Sequence, residues 1–164
     1  MTTQHRLSGH LILIDWFLFW FLNGLDKFMH GVSVAGMFVW HGKDRLQQFT
    51  GYFERLQIDP EGIQPLLASC GFIELGVAAL FALAIAGPQF YARHAEWAFA
   101  ATVAMFIGFS IWDVVAGDRA ELLEHGTYIG VVFVTRAYLE FTRFVPVDLF
   151  AGLRATPSRK SLAA

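Results

Sequence analysis

Cysteine is almost missing from this chain: Cys70 stands alone in 164 residues. A single thiol inside an apolar run forms no internal disulfide, no Cys-x-x-Cys redox pair and no thiolate metal cage, which excludes the four-helix thiol oxidoreductases. Charge is scarce as well. Asp, Glu, Lys and Arg together make up 16% of the residues, against about 25% in an ordinary soluble domain. The net charge of -2 contains no block of one sign, so nucleic acid finds no electrostatic footprint and is excluded as a partner. What fills the chain instead is apolar: 55% hydrophobic residues and a mean hydropathy of +0.47. A chain of this length is one domain, and its main solvent is expected to be lipid.

A membrane-crossing helix needs about 20 mainly apolar residues, and four stretches supply them, at 10–29, 66–86, 95–116 and 123–145. Between them lie turn-forming residues that a continuing helix resists: Gly31, the run Asp59-Pro60-Glu61-Gly62, Gly87-Pro88 and Gly117-Asp118. The expected fold is therefore all-α, a four-transmembrane-helix bundle forming one membrane domain over residues 1–150, followed by a polar tail at 151–164. The first stretch contains Asp15 and runs into Asn23, Asp26 and Lys27 with no nearby small-residue cleavage site. It reads as a retained helix rather than a signal peptide.

Four crossings put both termini on one side. Arg6, Arg93, Arg143, Arg154, Arg159 and Lys160 fall on that side, against Lys27, Lys43, Arg45, Arg55 and Arg119 on the other. The dense C-terminal cluster tips the positive-inside balance toward cytoplasmic termini in a bacterial-type inner membrane. The first loop, 30–65, is too long for a simple connector. Its apolar stretch 32–40 is too short to cross, and beyond it Leu46, Phe49, Phe53 and Leu56 recur at helical spacing among charges. That pattern predicts an amphipathic helix on the membrane surface, capping the non-cytoplasmic face.

Ionisable residues within apolar spans are costly and mark candidate sites. Asp15 and Arg136 are expected at the same depth, about 20 Å from the outer face at 1.5 Å per residue, and so as a buried pair extended by Glu140. Asn23, Lys27 and Glu74 are expected as a second cluster nearer that face. A buried pair that merely holds helices in register is the competing reading. Rows of small residues, Ala78-Ala82-Ala86 in line with Glu74, Ala100-Ala104-Gly108 and Gly126-Gly130, predict close helix packing. Imidazole and carboxylate are ordinary metal ligands, and His30, His41, Asp113 and His125 are the weak metal candidates, although no two histidines share a helix face at ligand spacing. No metal is expected. The 17 Phe, 5 Trp and 4 Tyr are explained mostly by packing and by interfacial belts. A flat quinone ring held between aromatic side chains is the minority reading.

The run Asn23-Gly24-Leu25-Asp26-Lys27-Phe28, the aromatic-rich approach from Gly51 to Pro60, and Gly71-Phe72-Ile73-Glu74-Leu75-Gly76 together resemble the DoxX-like family of small four-helix membrane proteins, which includes the DoxD type of thiosulfate:quinone oxidoreductase subunit. The resemblance covers roughly residues 10–87 and carries over to Gly24, Lys27, Pro60 and Glu74. This chain departs from the pattern in a longer first loop and in lacking a Gly-rich stretch after the Glu. The resemblance implies a membrane subunit or anchor of an oxidoreductase assembly, near the quinone pool, with protein partners and lipid around it. No cofactor is required by the residues, and quinone is the one that the resemblance admits. A carrier with a midplane Glu/Arg/Asp site and a structural assembly factor are the alternatives.

Overall fold

The computed structural model describes residues 3–147, with side chains from residue 7. Five α-helices dominate it: α1 (Thr3–Met29), α2 (Arg45–Leu56), α3 (Ile63–Ala86), α4 (Pro88–Ala116) and α5 (Arg119–Phe141). Three of the helical stretches, Leu7–Met29, Pro60–Ala86 and Pro88–Ala116, are long and apolar enough to cross a membrane. They fit a membrane-embedded chain. The fifth helix has 23 residues but carries Glu121, Glu124, Arg136 and Glu140, so its composition falls short of the same standard. Its helical geometry ends at Phe141, earlier than the expected 145. The tail at 151–164 lies outside the described residues.

Local chemistry explains the boundaries. Asp118 caps α5 by accepting from the backbone N–H groups of Ala120 and Glu121, and Asp44 caps α2 by accepting from Gln47, each satisfying donors that a helix start leaves open. Gly117 ends α4 in the left-handed conformation, φ 74°. Pro88 occupies the first turn of α4, where its missing N–H costs nothing. The fourth helix therefore starts seven residues before the expected 95, and Gly87 alone separates it from α3.

Packing runs α1 on α3, α3 on α4 and α4 on α5, with α2 laid across α3 and α4. At the α1–α3 crossing, a Cβ on Gly71 would lie 3.3 Å from the Gly24 carbonyl and one on Gly24 would lie 3.1 Å from the Gly71 carbonyl, so this glycine pair lets the two backbones approach closely. Leu13, Trp16, Trp20, Phe81, Phe99 and Phe106 form the centre of the core. Two indoles cross between helices: Trp20 Nε1 donates to Thr102 Oγ1 at 2.9 Å, and Trp16 Nε1 to Thr135 Oγ1 at 3.1 Å.

Two expectations about packing are corrected. Ala100, Ala104, Gly108, Gly126 and Gly130 are exposed, and Cβ atoms built on Gly108, Gly126 and Gly130 would meet nothing within 4 Å. Those rows face outward, because the large residues Phe99, Phe106 and Val132 take the inner faces of α4 and α5. The buried stripe of α3 is Gly71, Glu74, Ala78, Phe81 and Ala84, leaving Ala82 exposed. The stretch at 32–40 forms a small antiparallel hairpin, β1 (Ser33–Val34) with β2 (Phe38–Val39), in which Val34 faces Phe38.

Candidate functional site: an aromatic and ionic cavity under the cap

Helices α1, α3, α4 and α5 enclose a cavity of about 130 Å³ that α2 roofs. That is close to the volume, on the order of 150 Å³, in which apolar cavities accept one six-membered ring. Trp20, Phe106, Phe109, Trp112 and Tyr128 supply aromatic walls, while Lys27, Glu74, Asp113, Glu121 and His125 bring charge. The mixture follows from helical register. On α4, Phe106, Phe109 and Asp113 recur at spacings of three and four, and on α5 Glu121, His125 and Tyr128 do the same.

Lys27 Nζ donates to Glu74 Oε2 at 2.5 Å, with side-chain exposures of 7% and 2%. It also reaches the carbonyl of Asn23 at 3.3 Å, and the Asn23 amide itself donates to Phe19 O. The expected cluster of Asn23, Lys27 and Glu74 is thus assembled, and all three line the cavity. A second ionic group closes the opposite helix pair: His125 Nδ1 lies 2.6 Å from Asp113 Oδ2, and Glu121 contacts Lys43 and, at 3.6 Å, Arg45. Burial, and then the neighbouring Arg45, hold the Lys43 ammonium below its ordinary pKa.

The roof is tied down by Tyr52. Its hydroxyl donates to Asp118 Oδ2 at 2.6 Å and accepts from Gln48 at 2.5 Å. Burial, and then the bond to Asp118, push this phenol up to about 12. Phe49 stacks on Trp112 with centroids 5.9 Å apart and planes 8° from parallel. Nε1 of Trp112 is nevertheless buried with no hydrogen-bond partner among the described residues. Buried donors are rarely left so.

Elsewhere the structure departs from the expected pairing. Asp15 is exposed on the outer face of α1, whereas Arg136 binds Glu140 at 2.8 Å and Glu96 at 3.4 Å and lies over the Phe99 ring. Matching depth placed Asp15 and Arg136 together; the angular position of Asp15, set by the burial of Leu13, Trp16 and Trp20, turns it away. Asp15, Arg136 and Glu140 are not cavity residues, so the midplane Glu/Arg/Asp site of the carrier alternative is not formed. Of the weak metal candidates, Asp113 and His125 meet. His30 instead bonds Gly42 O, and His41 stays exposed beside the hairpin. Among the described residues no three His, Cys, Asp or Glu side chains converge on a metal position.

Sequence reasoning missed Lys43, Arg45, Tyr52, Trp112 and Glu121 as site residues. The available signal was the pair Glu121 and His125, four residues apart on one helix face. The cap residues gave none, since the docking of α2 onto the bundle is a tertiary event. No family model, curated protein or solved structure matches this chain.

Proposed function

We propose that this chain is a four-helix membrane subunit of an oxidoreductase assembly, and that its cavity holds the oxygenated ring of a quinone-type ligand. The observation that carries this reading is the wall chemistry. Aromatic faces suit a flat ring, and the orphaned indole N–H of Trp112 calls for an acceptor oxygen at a wall otherwise built of rings. Few convergent polar groups in an apolar pocket are what small-ligand sites share. The resemblance of the segments around Lys27 and Glu74 to the DoxX-like family supports the same reading. In it, α5 completes the bundle as a fourth crossing, with Glu121 and His125 turned to the cavity and Arg136 paired with Glu96 and Glu140 near the helix end.

Purification from the native membrane in mild detergent tests both halves of the reading. Quinone recovered from the extracted lipid and a redox protein present in fixed ratio are the expected results. In the purified chain, a short-tailed benzoquinone is expected to quench tryptophan fluorescence saturably, with W112F weakening its binding about tenfold, the scale of one lost hydrogen bond to a buried donor. Absence of saturable quenching by the benzoquinone and its hydroquinone overturns the ligand, and a chain that purifies alone overturns the assembly.

A further inference from the structure

His125 sits one helical turn after Glu121 and faces the same cavity. With Nδ1 against the buried carboxylate of Asp113, the imidazole proton belongs on Nδ1, and the tautomer is fixed by that bond. Among the described residues Nε2 is then left without a hydrogen-bond partner. The facing carboxylate oxygen, Glu121 Oε2, is 3.9 Å away, beyond hydrogen-bond reach. A neutral imidazole in this tautomer offers a lone pair at Nε2, and an imidazolium offers an N–H there. One atom can therefore accept from a ring hydroxyl or donate to a ring carbonyl, according to its charge.

The surroundings suit that exchange. Asp113 approaches from α4, and Glu121 and Glu124 from α5 itself. Lys43 and Arg45, ahead of and within α2, both engage Glu121, while the Lys27 charge from α1 is already matched by Glu74 of α3. The rings of Phe106 and Phe109 flank the imidazole at centroid distances of 5.9 and 5.2 Å and keep the other side apolar. Lys43 is 45% exposed, so the series Lys43, Glu121, His125, Asp113 runs from water into the cavity.

Resting on the reading of the cavity as a site for an oxygenated ring, we propose that Nε2 of His125 is the atom that exchanges a proton with the ring oxygen, with Asp113 positioning the imidazole. When a ring hydroxyl binds, its O–H bond breaks and an Nε2–H bond forms; the electron pair stays on the ring oxygen as an oxyanion, and Asp113 balances the imidazolium. The reverse step returns the proton. Neither step oxidises or reduces the ring.

The test uses the full chain in lipid nanodiscs, a short-tailed benzoquinone and its hydroquinone, and tryptophan quenching read from about pH 5 to about pH 8, the range in which histidine changes charge. The expected profiles have opposite signs. Hydroquinone affinity rises with pH as Nε2 becomes an acceptor, and benzoquinone affinity falls as the donor is lost, each by about tenfold. H125Q flattens both. D113N, which keeps the imidazole should H125Q fail to fold, weakens both slopes, because the carboxylate that positions Nδ1 and fixes the tautomer is gone. H94Q, a substitution on α4 outside the cavity, leaves both slopes in place. Saturable quenching with flat profiles in the wild type, or slopes that survive H125Q and D113N unchanged, overturns the proton exchange while leaving the ring site standing. If neither probe quenches the wild-type chain, the ring site itself is overturned and the exchange with it.

Discussion

At the residue scale, the pair of Lys27 and Glu74 joins two helices through buried opposite charges. Removing one partner strands the other in a medium that solvates it poorly, whereas removing both leaves an apolar contact. K27M and E74Q are each expected to destabilise the fold by ~3 kcal/mol, and K27M/E74M to recover most of that loss, as read by thermal unfolding in detergent. Asp15 and Arg136 should behave oppositely. Since they share no partner, D15N and R136Q are expected to be additive within about 0.5 kcal/mol, and a larger coupling in the double-mutant cycle would contradict the outward position of Asp15. The two pairs also show what could be read from the chain. Charges within apolar runs announce themselves, so Lys27 and Glu74 were legible as a cluster. Depth along a helix is fixed by residue count, but rotation about its axis is fixed by which aromatic residues win the core, and Trp16 and Trp20 settled that for Asp15.

Helices α2 and α5 meet through Tyr52, and this contact has a pH signature. A phenol raised from its ordinary value of 10 to about 12 is one whose neutral form the folded state prefers. Its contribution to stability is complete below pH 10 and is lost as pH rises through about 12. In an alkaline absorbance titration, the difference between wild type and Y52F is expected to develop near pH 12 rather than pH 10. Y52F is also expected to speed amide exchange across α2, since the tie to Asp118 is gone. The periodicity of Leu46, Phe49, Phe53 and Leu56 announced this helix, but its buried face centres on Tyr52 and Phe53, with Leu46 exposed. A surface helix and a docked roof have the same amphipathic pattern, and only tertiary contact separates them. The hairpin at 33–39 left still less trace. Its strands have two residues each, and its turn depends on positive φ at Ala35 and Gly36, a local device too short for any periodicity.

For the whole molecule, helix number and order were legible because apolar length is a strong signal and Gly, Pro and Asp punctuate it. The stretch at 123–145 reads as a crossing too, but α5 carries charges into an ionic cavity and lacks the apolar uniformity of Leu7–Met29, Pro60–Ala86 and Pro88–Ala116. Topology separates the alternatives directly. On the proposed four-crossing reading both termini lie on one side of the membrane and α2 on the other, so reporter fusions at the two ends are expected to agree and cysteines in the loop between α1 and α2 to label from the opposite side. Fusions that disagree would make α5 a helix that does not cross.

The single-residue joint at Gly87 bears on how the chain reaches that state. Pro88 restarts the helix as soon as α3 ends, and no polar loop intervenes for the insertion machinery to hold or to thread. Two of the most apolar segments therefore leave the ribosome back to back and can pair before either has settled alone in lipid. The expected order of biogenesis is that of a hairpin, with α3 and α4 entering the bilayer together. A gene divided at this point is expected to yield two fragments that insert less well apart than together.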